Sequence, residues 1–161
     1  MTNIQIRPVE IRAAEGEADL ARARSLFVEY ANSLDFSLCF QGFDAEMATL
    51  PGKYAPPAGA LLLAWVEGKA MGVVALRDLG DGIAEMKRLY VKPEARGLQL
   101  GRKLAEAVMA EARARGYGRM RIDTLRRMQA ANALYDALGF YEIPPYTPNP
   151  EPDVRYREVA L

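Results

Sequence analysis

Histidine is absent from the 161 residues of this chain, and cysteine occurs once, at Cys39. Without histidine the chain has no serine–histidine or cysteine–histidine nucleophile, and it lacks the commonest transition-metal ligand. One cysteine forms neither an internal disulfide nor a zinc cluster or paired redox motif, so we expect a reducing, cytoplasmic environment and no metal. In an apolar stretch, Cys39 is better interpreted as a small buried residue than as a nucleophile. Any base must therefore be Glu, Asp, Tyr, Lys or water.

Long apolar runs and an excess of one charge are missing as well. The longest strongly apolar stretch, residues 59–66, is far too short to span a bilayer, and residues 1–8 lack the apolar core of a signal peptide. Lys and Arg total 21, as do Asp and Glu, so no global field favours nucleic acid. Basic residues between Arg96 and Arg127 alternate with acidic ones, which is typical of a solvated helix face. We expect no membrane or nucleic-acid partner, and any anion site must be local.

The hydrophobic pattern predicts a single domain over residues 1–161. Short turns between three central strands require antiparallel pairing, whereas the strand–helix–strand unit that follows should be parallel. The sequence therefore predicts an α+β fold, a mixed α/β sandwich whose central, mostly antiparallel sheet of six to seven strands has helices on both faces. The predicted elements are an opening strand through Ile4, Ile6, Val9 and Ile11 interrupted at Pro8, helices over 17–34 and 44–50 with Asp44 capping the second, strands over 61–66, 70–79 and 83–91, a helix from about Gly101 to Gly116, a strand over 120–125, a helix over 130–138, and strands over 140–143 and 154–160.

The turn after the third central strand carries the main chemical signal. Pro93 cannot continue the strand, Gly97 permits a positive φ or a close backbone approach, and the next helix begins near Gly101. Several backbone N–H groups are then exposed together at the positive end of a helix, where they form an anion site. Arg96, Arg102 and Lys103 add mobile charge at its mouth. A diphosphate is the ligand that this arrangement suits.

Other phosphate-binding classes fit the turn less well. A phosphate-loop NTPase needs Gly-x-x-x-x-Gly-Lys followed by Ser or Thr, whereas the segment from Gly97 to Leu104 has a different spacing and no hydroxyl for magnesium. The dinucleotide fingerprint Gly-x-Gly-x-x-Gly is missing too. Two glycines that merely shape a connection, and an unrelated domain that binds a phosphate ligand, remain as alternatives.

Two motifs carry the next signal, Val91-x-Pro93-x-x-Arg96-Gly97-x-x-x-Gly101 and Asn132-Ala-Leu-Tyr135-Asp-Ala-Leu-Gly139-Phe140. Taken together, they resemble the GNAT superfamily of N-acetyltransferases. The family's turn reads Arg/Gln-x-x-Gly-x-Gly/Ala, so Arg96 and Gly101 fit, whereas Gln99 stands at the usual middle glycine and can still donate its backbone N–H. The resemblance covers most of the chain from residue 60 onward. It implies a GNAT-like fold splayed between the fourth and fifth strands, with acetyl-CoA as co-substrate.

The resemblance also assigns residues to acetyl-CoA. The backbone of the strand before the turn would bind the pantetheine arm, and a bulge there would splay it from the strand over 120–125. The turn would hold the diphosphate, and two residues three apart on one helix face, Asn132 and Tyr135, would contact the pantetheine and the departing sulfur. For Tyr135 the alternative is a core aromatic. The predicted cofactor-binding set is Leu89, Tyr90, Val91, Arg96, Gly97, Leu98, Gln99, Leu100, Gly101, Arg102, Asn132 and Tyr135.

Acetyl transfer to an amine needs a base and an acid. A primary amine with a pKa near ~10 is mostly protonated at neutral pH and must lose a proton before it attacks a thioester. Glu85 resembles the glutamate that some family members use for this step, but Lys87 lies two residues further on the same strand face, so an ion pair is the alternative. Tyr135 is the candidate acid for the leaving thiolate.

The function implied is an acyl-CoA-dependent N-acyltransferase that moves acetyl to a primary amine of a small molecule, an amino acid or a peptide by direct attack in a ternary complex. The alternative is a catalytically silent acyl-CoA sensor. The family builds its acceptor site from regions that correspond to residues 33–54 and 144–152. The sequence leaves open the acceptor, the acyl chain length and a homodimer. Candidate acceptor contacts are Tyr141, Tyr146 and Arg155, with Arg77, Arg126 or Arg127 toward a carboxylate.

Overall fold

The computed structural model describes residues 8–38 and 42–161, and within them it contains seven strands and four α-helices. Single-turn 3-10 helices over Gly52–Tyr54 and Pro93–Ala95 precede the second strand and the third helix. In chain order the elements are β1 Val9–Ala13, α1 Gly16–Ser33, α2 Phe43–Ala48, β2 Ala60–Val66, β3 Lys69–Gly80, β4 Ile83–Val91, α3 Leu100–Ala114, β5 Arg119–Leu125, α4 Gln129–Ala137, β6 Tyr141–Glu142 and β7 Val154–Ala160.

All seven strands join one sheet in the order β1-β2-β3-β4-β5-β7-β6. Neighbouring strands are antiparallel except β4 and β5, which are parallel and are connected through α3. The short turns leave the central strands no other pairing, and only a helical crossover lets β5 run in the direction of β4. The predicted α+β fold, with a mostly antiparallel sheet, is confirmed.

Helices cover both faces of the sheet, as the predicted fold requires. On one face, α3 and α4 bury an apolar cluster centred on Leu104, Val108 and Met120. On the other face, α1 and α2 bury a second cluster around Phe27 and Leu63. Because β2 is buried along its whole length, with apolar side chains pointing to both faces, it belongs to both clusters.

A gap opens between β4 and β5 near the middle of the sheet. The two strands pair only where Ile83–Glu85 meets Arg119–Arg121, and beyond that point no further pairing joins them in the described chain. The β3–β4 ladder has a register shift that leaves one extra residue on β4 between Lys87 and Tyr90, and Arg88 there has a positive φ of 61°. Such a bulge bends its strand and frees ladder groups. The predicted splay between the fourth and fifth strands is therefore present.

Some local predictions are corrected, and others cannot be compared. The second helix begins at Phe43 with Gly42 as its N-cap in the left-handed conformation, so the prediction of Asp44 as the cap was wrong. Glycine reaches that conformation without strain, and Asp44 lies in the first turn. The strand residues Ile4 and Ile6, and Cys39, lie outside the described residues. No helix in the described ranges is long and apolar enough to cross a membrane.

Candidate active site

The turn between β4 and α3 has the backbone shape that its glycines predict. Gly97 has a φ of 93°, and nothing lies within 4 Å of the position that a Cβ would take there. Gln99, the N-cap of α3, also takes left-handed backbone angles, with φ 57° and ψ 32°. Glycine adopts this conformation without a steric cost, whereas for glutamine the same conformation is sterically unfavourable. This explains why the family's pattern has glycine at the position of Gln99.

Free backbone donors converge on this turn. In the described part of the chain, no acceptor is present for the backbone N–H groups of residues 97–102. The first four N–H groups of any α-helix lack partners within the helix, and here they are joined by those of the preceding turn. With the positive end of the α3 dipole behind them, these donors form an anion site.

A groove of about 860 Å³ begins at the turn and runs along β4 toward α4. It brings together eight of the predicted cofactor residues. Leu98 and Arg102 do not line it, since Leu98 packs against the core and the Arg102 guanidinium lies 2.6 Å from the Glu106 carboxylate. The predicted residues that line the groove are Leu89, Tyr90, Val91, Arg96, Gly97, Gln99, Leu100 and Gly101.

A smaller cavity of about 100 Å³ adjoins the groove inside the gap between β4 and β5. Groove and cavity share five lining residues, Tyr30, Phe36, Leu89, Met128 and Ala131, so they lie side by side. A group bound in the groove therefore lies next to the cavity at the bulge of β4. The remaining lining residues are Leu38, Met86, Lys87, Arg88, Ile122, Asp123, Thr124, Leu125, Tyr135 and Asn149.

Tyr135 lies on α4 and lines this cavity. Its ring is buried and meets Phe140 edge-on at 5.5 Å between ring centroids. Its hydroxyl has no hydrogen-bond partner among residues 8–38 and 42–161. Burial, reinforced by Tyr30 and Asp123, raises the pKa of Tyr135 above its usual value, so the hydroxyl keeps its proton near neutral pH. The protonated side chain thus lines the cavity, and its role as the acid stays a prediction.

Asn132 lies on the same helix, but its side chain is hydrogen-bonded within the protein. Its amide nitrogen donates to the carbonyl oxygens of Leu125 at 2.8 Å and Met128 at 2.9 Å, and its amide oxygen accepts from Arg155 at 3.1 Å. It lines neither the groove nor the cavity. These contacts tie the end of β5 to the start of α4, which gives Asn132 a structural role in holding Tyr135 at the gap.

Glu85 lies at the end of the paired stretch of β4 and is fully buried, at 0% exposure. Its carboxylate is 2.6 Å from Arg77 Nε and 3.7 Å from Lys87 Nζ, and it accepts a 2.6 Å hydrogen bond from the Tyr146 hydroxyl. It does not line the cavity. The ion pair that the sequence left as the alternative is therefore present, and the role of Glu85 as base stays a prediction.

Two loops close over this face of the sheet and are joined by Arg127, which also lines the groove. Its guanidinium lies 3.2 Å from Asp35 in the segment after α1, and 3.0 Å and 2.5 Å from Glu151 and Asp153 in the segment before β7. Arg127 is thus already paired with carboxylates. Of the predicted acceptor contacts, Tyr146 donates to Glu85, Tyr141 is exposed, and Arg155 is bound to Glu142 and Asn132. None of the three lines the groove or the cavity.

Lys87 and Asp123 are cavity residues whose role the sequence did not predict. They face each other across the gap with 3.6 Å between Lys87 Nζ and Asp123 Oδ1. A signal was present, because Glu85 pairs with Arg121 in the parallel β4–β5 register, and two residues further on come Lys87 and Asp123. Within the described ranges, no group of three or more His, Cys, Asp or Glu residues is placed to hold a metal ion.

Each comparison with known proteins finds acetyltransferases. The sequence model of the acetyltransferase (GNAT) family matches residues 24–140. An uncharacterised N-acetyltransferase of Schizosaccharomyces pombe is 39% identical over 155 residues, which cover 95% of each chain. An acetyltransferase structure from Streptococcus agalactiae is 27% identical, with a TM-score of 0.78 over 95% of this chain and 98% of that one. The yncA structure of Salmonella typhimurium, solved with its cofactor acetyl-CoA, is 20% identical, with a TM-score of 0.70 over 95% and 94% of the two chains.

Proposed function

The chain belongs to the acetyltransferase (GNAT) family, as its two motifs indicated, and from this membership we propose that it transfers acetyl from acetyl-CoA to a primary amine by direct attack in a ternary complex. The acceptor is a small molecule, an amino acid or a peptide. One observation carries the proposal: the groove that starts at the free N–H groups of the α3 turn adjoins the cavity that Tyr135 lines. A diphosphate bound at the turn and a thioester at the gap are then reachable by one extended ligand.

The turn would hold the diphosphate through the backbone N–H groups of residues 97–101, with Arg96 adding charge at the rim. The pantetheine arm would extend along Leu89–Val91, where the bulge leaves ladder groups of β4 without a partner on β5. The side chain of Tyr90 points away from that path, because its hydroxyl donates to the Glu29 carboxylate of α1 at 2.6 Å. The backbone of this segment therefore remains available for an amide ligand.

The reaction needs no group other than the amine, the thioester and nearby proton carriers. The amine loses one proton, its nitrogen attacks the acetyl carbonyl carbon, and a tetrahedral oxyanion forms that a backbone N–H near Leu89 or Tyr90 stabilises. After the C–N bond has formed, the C–S bond breaks, the nitrogen loses its second proton, and the sulfur takes a proton from Tyr135, whose hydroxyl is restored by one of the two protons that the amine released. The products are an amide and a free thiol, with one proton released overall.

The test is a pair of measurements on the intact protein: release of free thiol from acetyl-CoA with a broad panel of amines, amino acids and peptides, and thermal unfolding with coenzyme A. At about 100 times its Kd, the ligand should stabilise the fold by about 2.7 kcal/mol, which corresponds to a rise in Tm of about 5–10 °C. A rise in Tm without thiol release across the panel would instead support the silent sensor. No rise at all would contradict the use of acetyl-CoA.

Glu85→Gln tests the predicted base. The Glu85 carboxylate already forms ion pairs with Arg77 and Lys87 and accepts a hydrogen bond from Tyr146. We therefore expect the variant to lose about 1–3 kcal/mol of unfolding free energy, while kcat falls less than about tenfold. Urea unfolding and steady-state kinetics measure the two effects. Glu10→Gln, at an exposed position of β1, is the matched control and should change neither. A fall in kcat of about 100-fold or more with unchanged stability would establish Glu85 as the base.

A further inference from the structure

Arg88 has a backbone conformation that arginine rarely adopts inside a strand. Its φ is 61°, in the left-handed region where every side chain other than that of glycine is sterically disfavoured. Three other non-glycine residues of the described ranges have a positive φ, but Glu67 and Asp81 lie in the turns after β2 and β3, and Gln99 is the N-cap of α3. Such a conformation persists only where its surroundings hold it, and it is found preferentially at functional sites.

A buried ion pair with Glu46 of α2 holds the side chain of Arg88. The Arg88 guanidinium donates from Nε to Glu46 Oε2 at 3.0 Å and from Nη2 to Glu46 Oε1 at 3.3 Å. The two side chains are only 3% and 7% exposed. The ring centroid of Phe43 lies 5.4 Å from the guanidinium carbon, on the same helix as Glu46. A pair with two parallel hydrogen bonds fixes the direction of a guanidinium as well as its distance.

Glu46 is itself fixed in place, because α2 is tied to the rest of the fold. Phe43 and Met47 of this helix are buried in the apolar cluster under α1, and the Met47 carbonyl oxygen accepts a 2.9 Å hydrogen bond from Arg24 Nε. Burial raises the pKa of the Glu46 carboxyl, but hydrogen bonds and positive charge, chiefly from Arg88, lower it below its usual value. The group is therefore ionised at neutral pH, and it binds Arg88 as a carboxylate at a fixed position.

The conformation of Arg88 sets the direction of the next peptide group, whose N–H belongs to Leu89. Leu89 lines both the groove and the cavity, and an N–H near Leu89 or Tyr90 is the donor proposed above for the oxyanion. In a regular strand, successive N–H groups point alternately toward its two neighbours, and a left-handed residue interrupts that alternation. If residue 88 returned to a negative φ, the Leu89 N–H would turn away from its present direction.

We propose, building on the acetyl transfer proposed above, that Arg88 and Glu46 are positioning residues: their ion pair holds residue 88 in the left-handed conformation that directs the Leu89 N–H at the acetyl carbonyl oxygen. Neither side chain gives or takes a proton in the transfer. The pair acts through the backbone, since it stabilises a conformation that only glycine would keep without help.

Two double variants without the ion pair test the part played by the backbone. Arg88→Gly with Glu46→Gln, and Arg88→Ala with Glu46→Gln, remove the same two charges, so neither variant leaves half of the pair buried alone. They differ by one methyl group, at a position where glycine takes a positive φ freely and alanine does not. Thiol release should give a kcat about 5- to 30-fold higher for the glycine variant, the ratio that corresponds to the cost of a left-handed alanine. KM for acetyl-CoA should differ by less than about threefold, because the turn at the diphosphate is unchanged. Equal kcat values would overturn the inference.

Glu46→Gln in two backgrounds shows whether the pair acts through residue 88. With Arg88 present, the substitution removes the carboxylate that holds the strained backbone, and kcat should fall at least about fivefold. In Arg88→Gly no strain remains to be held, and the same substitution should lower kcat less than about twofold. An equal fall in both backgrounds would mean a purely structural role for Glu46 and would also overturn the inference. Asp81→Ala is the matched control, since it places alanine at a φ of 56° in the exposed turn between β3 and β4 and should leave kcat unchanged.

Crystal structures of the two double variants give a readout that does not depend on activity. Residue 88 is expected at a negative φ in the alanine variant and at a positive φ in the glycine variant. A left-handed alanine would show that the ion pair is not what holds the backbone, and the role assigned to Arg88 and Glu46 would fail while acetyl transfer stands. If the wild type releases no thiol with any acceptor while coenzyme A still raises Tm, the proposed function fails and the positioning role fails with it.

Discussion

Gly101→Glu is expected to weaken coenzyme A binding by at least about 100-fold while leaving the fold intact. Gly101 lines the groove in the first turn of α3, next to the free N–H groups. A carboxylate there stands where the diphosphate would bind. At an effective dielectric constant near 20, two charges 4 Å apart repel by about 4 kcal/mol, and about 2.7 kcal/mol already corresponds to 100-fold in Kd. Titration calorimetry with coenzyme A measures the loss.

The fold should tolerate this substitution for two reasons. Gly101 does not have a left-handed backbone, and a Cβ would meet only Leu134 Cδ2 at 3.9 Å, which is an ordinary contact. A negative side chain in the first turn also interacts favourably with the positive end of the α3 dipole. Gly101→Gln has nearly the same size without the charge and should lose less affinity, and Gly101→Ala less again. Unchanged affinity in the glutamate variant would contradict the diphosphate assignment.

The parts of the site that the sequence predicted are those set by local backbone geometry. The turn at Gly97 follows from residues within ten positions of one another, and local steric rules decide it. The left-handed Gln99 was visible only as a departure from the family's pattern. Its conformation is imposed by the surrounding turn, because nothing in a glutamine favours a positive φ.

The parts that the sequence could not assign depend on side-chain partners. Asn132 and Tyr135 lie three residues apart on one helix face, and the resemblance to the family gave both of them roles at acetyl-CoA. The structure separates them, because the amide of Asn132 is satisfied by nearby carbonyl groups whereas the hydroxyl of Tyr135 opens into a cavity. The partners of Glu85 also could be predicted only in part. Lys87, two residues away on the same strand, could be predicted as a partner, but Tyr146, 61 residues away, could not. Long-range contacts of this kind come from loop packing, which has no periodic signature.

Tyr135→Phe should lower kcat by about 100-fold or more, while KM for acetyl-CoA changes by less than about threefold. General acids contribute about 10²–10⁴ in rate, and phenylalanine keeps the ring that packs against Phe140. The hydroxyl has no partner in the described chain, so its removal breaks no internal hydrogen bond and the fold should not weaken. An interaction made only as the thiolate departs appears in kcat and not in KM.

Two other tyrosines serve as controls for the lost hydroxyl. Tyr117→Phe removes a hydroxyl that donates to the Ala58 carbonyl at 2.7 Å, far from the cavity, and should leave kcat unchanged. Tyr30→Phe removes the hydroxyl of the other tyrosine that lines the cavity. Its kcat tests whether the loss of any tyrosine hydroxyl close to the cavity slows the reaction. If Tyr30→Phe lost kcat and Tyr135→Phe did not, the acid role would pass to Tyr30.

The pH dependence of the wild-type enzyme gives an independent check on Tyr135. A raised pKa means that the protonated, donating form persists to higher pH than in a free tyrosine, whose pKa is about 10. Loss of the Tyr135 proton should therefore cause no fall in kcat between about pH 7 and pH 9.5. A kcat that declined through this range in the wild type, and not in Tyr135→Phe, would mean that the hydroxyl ionises near neutral pH and that burial does not control it.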